Sequence, residues 1–549
     1  MPAQNFITRP GSQFIAAGTG AVERTVEAKL QDVVSVLDFI PESEHAAIKA
    51  GTSTYDATAD FNAALRASET YGDSLKHICL QLGGWHYYIL GTVYLRKGQV
   101  IEGGGAHLFM SASGSIKLGY KSDDTEDPGG APPGVHNLWI EGGFAPISAN
   151  ISGYQVSNVF ISFSAVGAVF RGTDGSISDC IFDAGARLCS FGGRSMTMTN
   201  CNFYVGNEQL NITNLRDSVI SNCVFNYANI AAIQIDGLTG QSNLNVRIDN
   251  CSFKKNEQSA ATFNGFVHTR NLTASPAGDV TFSNCSFRNC YQAAINIDGT
   301  GSQALTFKDC EFNGLKTNNT YAQSSTMYAL DMTYSAAGGN VTMDGCRFLN
   351  LFDTPIQAAS TEAINLTVTN SLFSNNAGTV SIELGSLNTG TCSFTLGNII
   401  GDTQSNVPLF SVATAVPLKI VGYLKDWLKA FDDGVTYQYV EVPFTDACLV
   451  SAVLRANQNP GGSALYRAFK KCTASISYDY TGVTATRATI QDDFKSDSPI
   501  LGFDLNLQAA ITDIATGSAV AGNVKPGKLV LYWPRGYGSE TIDVQYELS

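Results

Sequence analysis

The side chains with chemistry to offer sit in two near-copies of one short segment. Ala231-Ala232-Ile233-Gln234-Ile235-Asp236-Gly237 returns as Ala293-Ala294-Ile295-Asn296-Ile297-Asp298-Gly299, and weaker versions run over 327–332 and 379–383. Apolar and polar residues alternate, which places the polar ones together on one strand face. Aligning the copies gives an outward column of Gln234, Phe266, Asn296, Asp331, Gln357 and Ser381, and beside it Asp236, His268, Asp298, Thr333, Ala359 and Glu383. Cleavage of a glycosidic bond needs two carboxyl groups, ~5 Å apart for retention of configuration and ~6.5–9.5 Å apart for inversion. Asp298, Asp331 and Asp236 are the candidate acid and base residues. Asp298 and Asp331, one step apart diagonally on neighbouring rungs, are the favoured pair: Asp331 sits mid-strand with no Gly after it, whereas Asp236-Gly237 and Asp298-Gly299 are also ordinary turn signals. His268 and Arg270 fall between Asp236 and Asp298 and have the chemistry to hold a carboxylate or phosphate. Asn296, Gln234 and Glu383 supply further polar contacts, and Tyr321 and Tyr328 supply rings to stack on sugar. Glu362, Asp353, Glu257 and Glu311 are reserves.

The scaffold under these residues is written in a longer repeat. Cys180, Cys201, Cys223, Cys251, Cys285, Cys310 and Cys346, with Ser371 in the same slot, are each followed two residues later by Phe. One residue before stands Asn, Asp or Gly; three before, the residue is always apolar, as in Ile177, Ile248, Phe307 and Val368. A short repeat of this kind means stacked structural units. The inward positions five and three before the Cys are out of phase with Cys and Phe, and such a slip needs a bend. Asn, Asp and Gly tolerate the left-handed backbone of a sharp corner. Each unit therefore reads as strand, corner, strand, and the whole as a parallel β-helix with cysteines and phenylalanines filling its bore. The intervals lengthen between Cys223 and Cys346, and the added residues go into loops, over 254–279 and 313–327, that flank the carboxylates.

Composition limits the partners. A net charge of −14 argues against nucleic acid and against anionic membrane surfaces. No apolar run reaches the ~18 residues of a membrane span, and the N-terminus lacks the layout of a secretory signal. The 13 cysteines include no CxxC pair and the six histidines are scattered, so no metal or cofactor is expected.

At the N-terminal side, Tyr55 to Leu65 reads as an Asp/Thr-capped helix with Phe61, Ala64 and Leu65 on one face. Ile78–Ile89 and Val93–Gly105 read as strand, turn, strand. Together with the preceding stretch 18–30, this region resembles the N-terminal cap and first coils of the pectate-lyase-like β-helix superfamily found in phage tailspikes. That resemblance implies a homotrimer of right-handed parallel β-helices, carried on a virion tail and assembled in the host bacterial cytoplasm, with a flank that binds or cuts glycan. The expected order is a virion-attachment segment over 1–30, docking into another tail or baseplate protein. It is followed by the cap and first coils over 31–130, the parallel β-helix over 131–417, and an antiparallel C-terminal β-domain over 418–549 that caps the coil and joins the trimer. Leu424–Lys429 looks helix-like at that last junction. The expected partner is a bacterial O-antigen or capsule, and the expected reaction is endo-glycosidic hydrolysis. A polysaccharide lyase using His268 and Arg270, and a receptor-binding spike without catalysis, are the alternatives; no GxSxG elbow points to an esterase.

Overall fold

The computed structural model describes residues 33–67, 78–120, 131–162, 165–237, 242–254, 264–270, 278–289, 293–297, 303–314, 328–332, 339–351, 354–360, 364–376, 381–386, 393–401 and 409–412. To these are added short strands at 13–14 and 24–25 and the strand segments between 418 and 548. The chain forms two units, 1–234 and 235–549.

In the first unit, parallel strands stack with identical slots in register. Val135, Val156, Ile177, Met198 and Ile220 form one inward column. Ile140, Ile161, Phe182, Phe203 and Phe225 form another. The rings of Phe182, Phe203 and Phe225 lie parallel at 4.8 and 4.7 Å. The second unit repeats the arrangement. Val246, Val280, Leu305, Val341, Leu366 and Phe394 make one column. Phe253, Phe287, Phe312, Phe348 and Phe373 make the other, with centroids 4.6, 4.8, 5.2 and 4.4 Å apart. These side chains are at most 2% exposed. The fold is a parallel β-helix, as the repeat requires.

All eight corner residues take the left-handed conformation: φ is +50° to +56° at Asp179, Asn200, Asn222, Asn250, Asn284, Asp309 and Asn370, and +68° at Gly345. The corners are tied by side-chain amides. Asn200 donates to Asp179 at 3.1 Å, Asn284 to Asp249 at 3.1 Å, Asn370 to Asp344 at 2.7 Å and Asn398 to Asn370 at 3.0 Å. Asn137 and Asn158 are corners of the same kind, joined at 2.7 Å. The Cys-x-Phe motif does not mark them because Leu138 and Ile140, then Val159 and Ile161, fill its slots with aliphatic groups.

The thiols are buried and hydrogen-bonded to backbone. Cys180, Cys201, Cys223, Cys251, Cys285 and Cys310 each donate to the carbonyl two residues earlier, at 3.2–3.4 Å. Ser371 makes the same bond to Thr369 at 2.7 Å, which is why a hydroxyl replaces a thiol there without loss of a partner. Cys79, Cys180, Cys189, Cys201, Cys223, Cys251, Cys285, Cys310 and Cys346 are thiols that form no disulfide, and burial pushes the Cys189 thiol well above its ordinary range.

At the N-terminal side, Val33–Ser35 pairs in parallel with Ile78–Gln81, and that strand with Gln99–Met110. The expected helix is Thr58–Ala67. Its entry is fixed by Asp56, whose Oδ1 accepts from the Thr58 amide at 3.0 Å and from the Leu90 amide at 3.1 Å. Phe61, Ala64 and Leu65 are buried. A second helix, Glu42–Ala50, was not anticipated. Its signals are acidic residues in the first turn, Lys49 in the last and left-handed Gly51 after it.

The helix-like reading of Leu424–Lys429 is corrected: Leu418–Lys429 is one strand. It pairs in parallel with Ser393–Ile400 at its start and antiparallel with Ile542–Leu548 at its end. Pairing on both stretches outweighs the local propensity of a six-residue segment. Further antiparallel pairs join Cys448–Gln458 to Tyr466–Tyr478, the latter to Ala485–Ser496, and Tyr437–Thr445 to Pro526–Pro534.

Two histidines of the first unit give a pH-dependent stability. Burial pushes His107 and His136 below the ordinary imidazole range, and Glu141 at 3.2 Å from His107 opposes the shift only in part. The folded chain thus takes up these protons at lower pH than the unfolded chain, which does so below pH ~6.5. Their contribution is complete above that pH and is lost as pH falls through the folded-state values. The thermal midpoint of the first unit is expected to drop between pH 7.5 and 5, and to drop less in His136→Gln. An identical pH response in the variant counts against this account.

Candidate functional site

The second-strand column of the second unit is set by register. His268 pairs with Asn296, Asn296 with Asp331, Asp331 with Gln357, Gln357 with Glu383 and Glu383 with Ser411. These residues come from Gly265–Arg270, Ala293–Ile297, Tyr328–Asp331, Ile356–Ser360 and Ile382–Ser386. Each strand alternates aliphatic residues toward the bore, such as Val267, Ile295, Leu330, Ile356 and Ile382, all fully buried, with this polar column.

The order differs from the sequence alignment at both ends. Asn296, Asp331 and Gln357 share a column as expected. His268 replaces Phe266 in it, and Glu383 replaces Ser381, each a shift of two residues. Phe266 is 1% exposed and packs against Phe253 and Phe287. Neither Gly265–Arg270 nor Ile382–Ser386 keeps the Ala-Ala-Ile-x-Ile pattern closely enough to fix the alignment, and a slip of two residues changes the column while keeping the parity.

Asp331 is only 5% exposed and His268 8%, while Gln357 and Glu383 are half-buried. Gln357 Nε2 donates to Glu383 Oε2 at 3.1 Å. The Oδ1 atom of Asn296, between His268 and Asp331, is buried with no hydrogen-bond partner. Asp331 and Glu383 stand two strands apart, ~9.6 Å along the stack at ~4.8 Å per strand.

Asp236 is engaged by Arg270. Its two oxygens accept from Arg270 Nε at 2.9 Å and Nη2 at 3.0 Å, a two-point contact with the side chains 15% and 37% exposed. Gln234 is 1% exposed at the end of the first unit. Tyr328 is half-buried in register with Ala293. Glu311 belongs to a different face, 3.5 Å from both Arg288 and Arg347. Asp298 and Tyr321, with Glu257, Asp353 and Glu362, lie outside the described residues. Among the described residues no His, Cys, Asp and Glu cluster has the makings of a metal site.

Comparison with known proteins follows the fold. The family described as right handed beta helix region matches residues 270–401. No curated protein matches the sequence. Among solved structures, a tailspike of Acinetobacter baumannii bacteriophage Fri1, a capsular polysaccharide depolymerase, is similar at 12% identity and TM-score 0.34, over 96% of this chain and 87% of that one. A tailspike variant of E. coli bacteriophage HK620, in complex with a pentasaccharide, is similar at 12% identity and TM-score 0.43, over 98% and 96%. A mannuronan C-5 epimerase module of Azotobacter vinelandii is similar at 14% identity and TM-score 0.40, over 71% and 99%. The architecture rests on the register and the left-handed corners rather than on these likenesses.

Proposed function

We propose that the chain is a phage tailspike that binds a bacterial surface polysaccharide and hydrolyses it within the chain, with Asp331 and Glu383 as the carboxyl pair. The carrying observation is the in-register run Asp331, Gln357, Glu383. Two carboxyl groups in line on one face, one amide between them, leave room for a sugar ring and a water molecule. Their ~9.6 Å separation at the backbone is close to the upper end of the ~6.5–9.5 Å that inverting enzymes use, and well beyond the ~5 Å of retaining ones. Asp331, nearly covered, protonates the leaving oxygen; Glu383, oriented by Gln357, takes the proton of the attacking water. The new C–O bond forms on the face opposite the one that breaks, and the leaving sugar departs as a free hydroxyl. His268 and Asn296, on the strands before Asp331, line the next sugar positions, and Asp236 fixes the guanidinium of Arg270 beside them. On this reading residues 1–30 dock into another tail or baseplate protein and the working form is a homotrimer closed by the 418–549 segment.

The test is product analysis on purified O-antigens and capsules from candidate hosts. Hydrolysis releases reducing ends with no new ultraviolet absorbance, and proton NMR of the first products shows the anomer opposite to that of the substrate linkage. An unsaturated, ultraviolet-absorbing product would establish a lyase instead, and first products that keep the substrate's anomeric configuration would remove the pairing of Asp331 with Glu383.

A further inference from the structure

We infer that Gln357 is a positioning residue, whose amide holds the Glu383 carboxylate in the orientation from which it works on water. The inference rests on the hydrolase reading above and adds to it a residue that does not itself touch the reacting atoms.

The column alternates amide and acid over four successive strands: Asn296, Asp331, Gln357, Glu383. A carboxylate at 357 would sit one strand, ~4.8 Å, from an acid on either side. Like charges that close, on a half-buried face, oppose ionisation of all three groups. A neutral residue is therefore needed between the two acids. Charge spacing alone is met by any neutral side chain, but Gln supplies more. Its Nε2 donates to Glu383 Oε2 at 3.1 Å, and an Nε2–H can only donate, so the bond occupies one carboxylate oxygen and fixes the plane of the group. The other oxygen is then turned to a defined direction. Gln357 is itself held by the backbone pairing of its strand with Tyr328–Asp331 before it and Ile382–Ser386 after it. A side chain anchored on a central strand of a stack is a stiffer support than a loop residue would be.

Three variants separate the contributions, assayed on an oligosaccharide of the glycan identified by product analysis. Gln357→Met keeps the volume and loses the donor. Gln357→Glu keeps the shape and adds the charge. Gln357→Ala removes both volume and donor. Loss of one hydrogen bond to a charged group corresponds to roughly 10–100-fold, and this is the expected fall in kcat for Gln357→Met and Gln357→Ala, with KM changed less than threefold. The acidic limb of the kcat/KM profile is expected to move to higher pH in both, and furthest in Gln357→Glu. A residue that only packs would lower stability without moving that limb, so thermal midpoints are measured in parallel.

Wild-type kcat and an unmoved pH profile in Gln357→Met overturn the inference. A raised KM with kcat intact does so too, because Gln357 would then be a substrate contact. If Glu383→Gln retains full activity, the hydrolase reading falls and the inference with it. If Glu383→Gln is inactive while all three Gln357 variants behave as wild type, only the role of Gln357 falls. If no glycan is cut, both are overturned together.

Discussion

Asp331→Asn and Glu383→Gln are each expected to slow glycan cleavage by ~10²–10⁴-fold, the usual contribution of a positioned acid or base. Neither change alters volume or removes an apolar contact, so the coil and its affinity for glycan should survive. The two variants should also differ in one respect. A substrate with a good leaving group needs little protonation at the departing oxygen, so Asp331→Asn should recover most of its rate on an activated aryl glycoside of the same sugar. Glu383→Gln should not, because water still requires its base. Equal recovery in both variants would mean that the roles are wrongly assigned. Full activity of both on the natural glycan would leave the column without catalytic function.

Truncating a ring in the bore should have the largest effect on stability. Phe287 is 1% exposed, lies parallel to Phe253 and Phe312 at 4.6 and 4.8 Å, and meets Phe282 and Phe307 from the side at 6.3 and 6.2 Å. Phe287→Ala is expected to cost ~3–5 kcal/mol, since the flanking strands are pinned by backbone pairing and cannot collapse into the hole. Leu244→Ala, at a residue 41% exposed, is expected to change stability by less than ~0.5 kcal/mol. Denaturant unfolding of the two variants beside wild type measures the contrast. A Phe287→Ala protein as stable as wild type would contradict the stacked bore.

Much of this fold was legible because a β-helix writes each slot repeatedly. One such unit is a weak signal, but eight of them at matching phase, each with Asn, Asp or Gly, then Cys or Ser, then Phe, specify inward faces, corner and stacking together. Where the slots hold ordinary aliphatics, as at Leu138, Ile140, Val159 and Ile161, the same geometry leaves no distinctive residue to read. The helix at Glu42–Ala50 was missed for a related reason: its apolar content is slight, with only Ile48 buried, so no periodic face announces it. The site was legible in part. Asn296, Asp331 and Gln357 fall into one column by aligning the copies, whereas His268 and Glu383 are displaced by two residues because Gly265–Arg270 and Ile382–Ser386 resemble those copies too weakly to fix the alignment. Parity set most of the polar face, but Phe266, which parity puts on it, is buried against Phe253 and Phe287. What sequence could not supply was the Gln357–Glu383 contact and the Asp236–Arg270 contact, which depend on where side chains on neighbouring strands meet.

The corner amides have one further property, their direction. In four pairs at or beside the corners the later residue donates and the earlier one accepts: Asn200 to Asp179, Asn284 to Asp249, Asn370 to Asp344, Asn398 to Asn370. A side-chain amide between two others can be turned either way, but an ionised carboxylate can only accept. Asp179, Asp249 and Asp344 therefore dictate the sense of the amide that bonds each of them, and above Asp344 the dipoles of Asn370 and Asn398 add head to tail. One such run, Asn398 to Asn370 to Asp344, is aligned head to tail and ends on a negative charge. Exchanging Asp344 for Asn would keep the spacing while removing the reason for the amides above it to point one way.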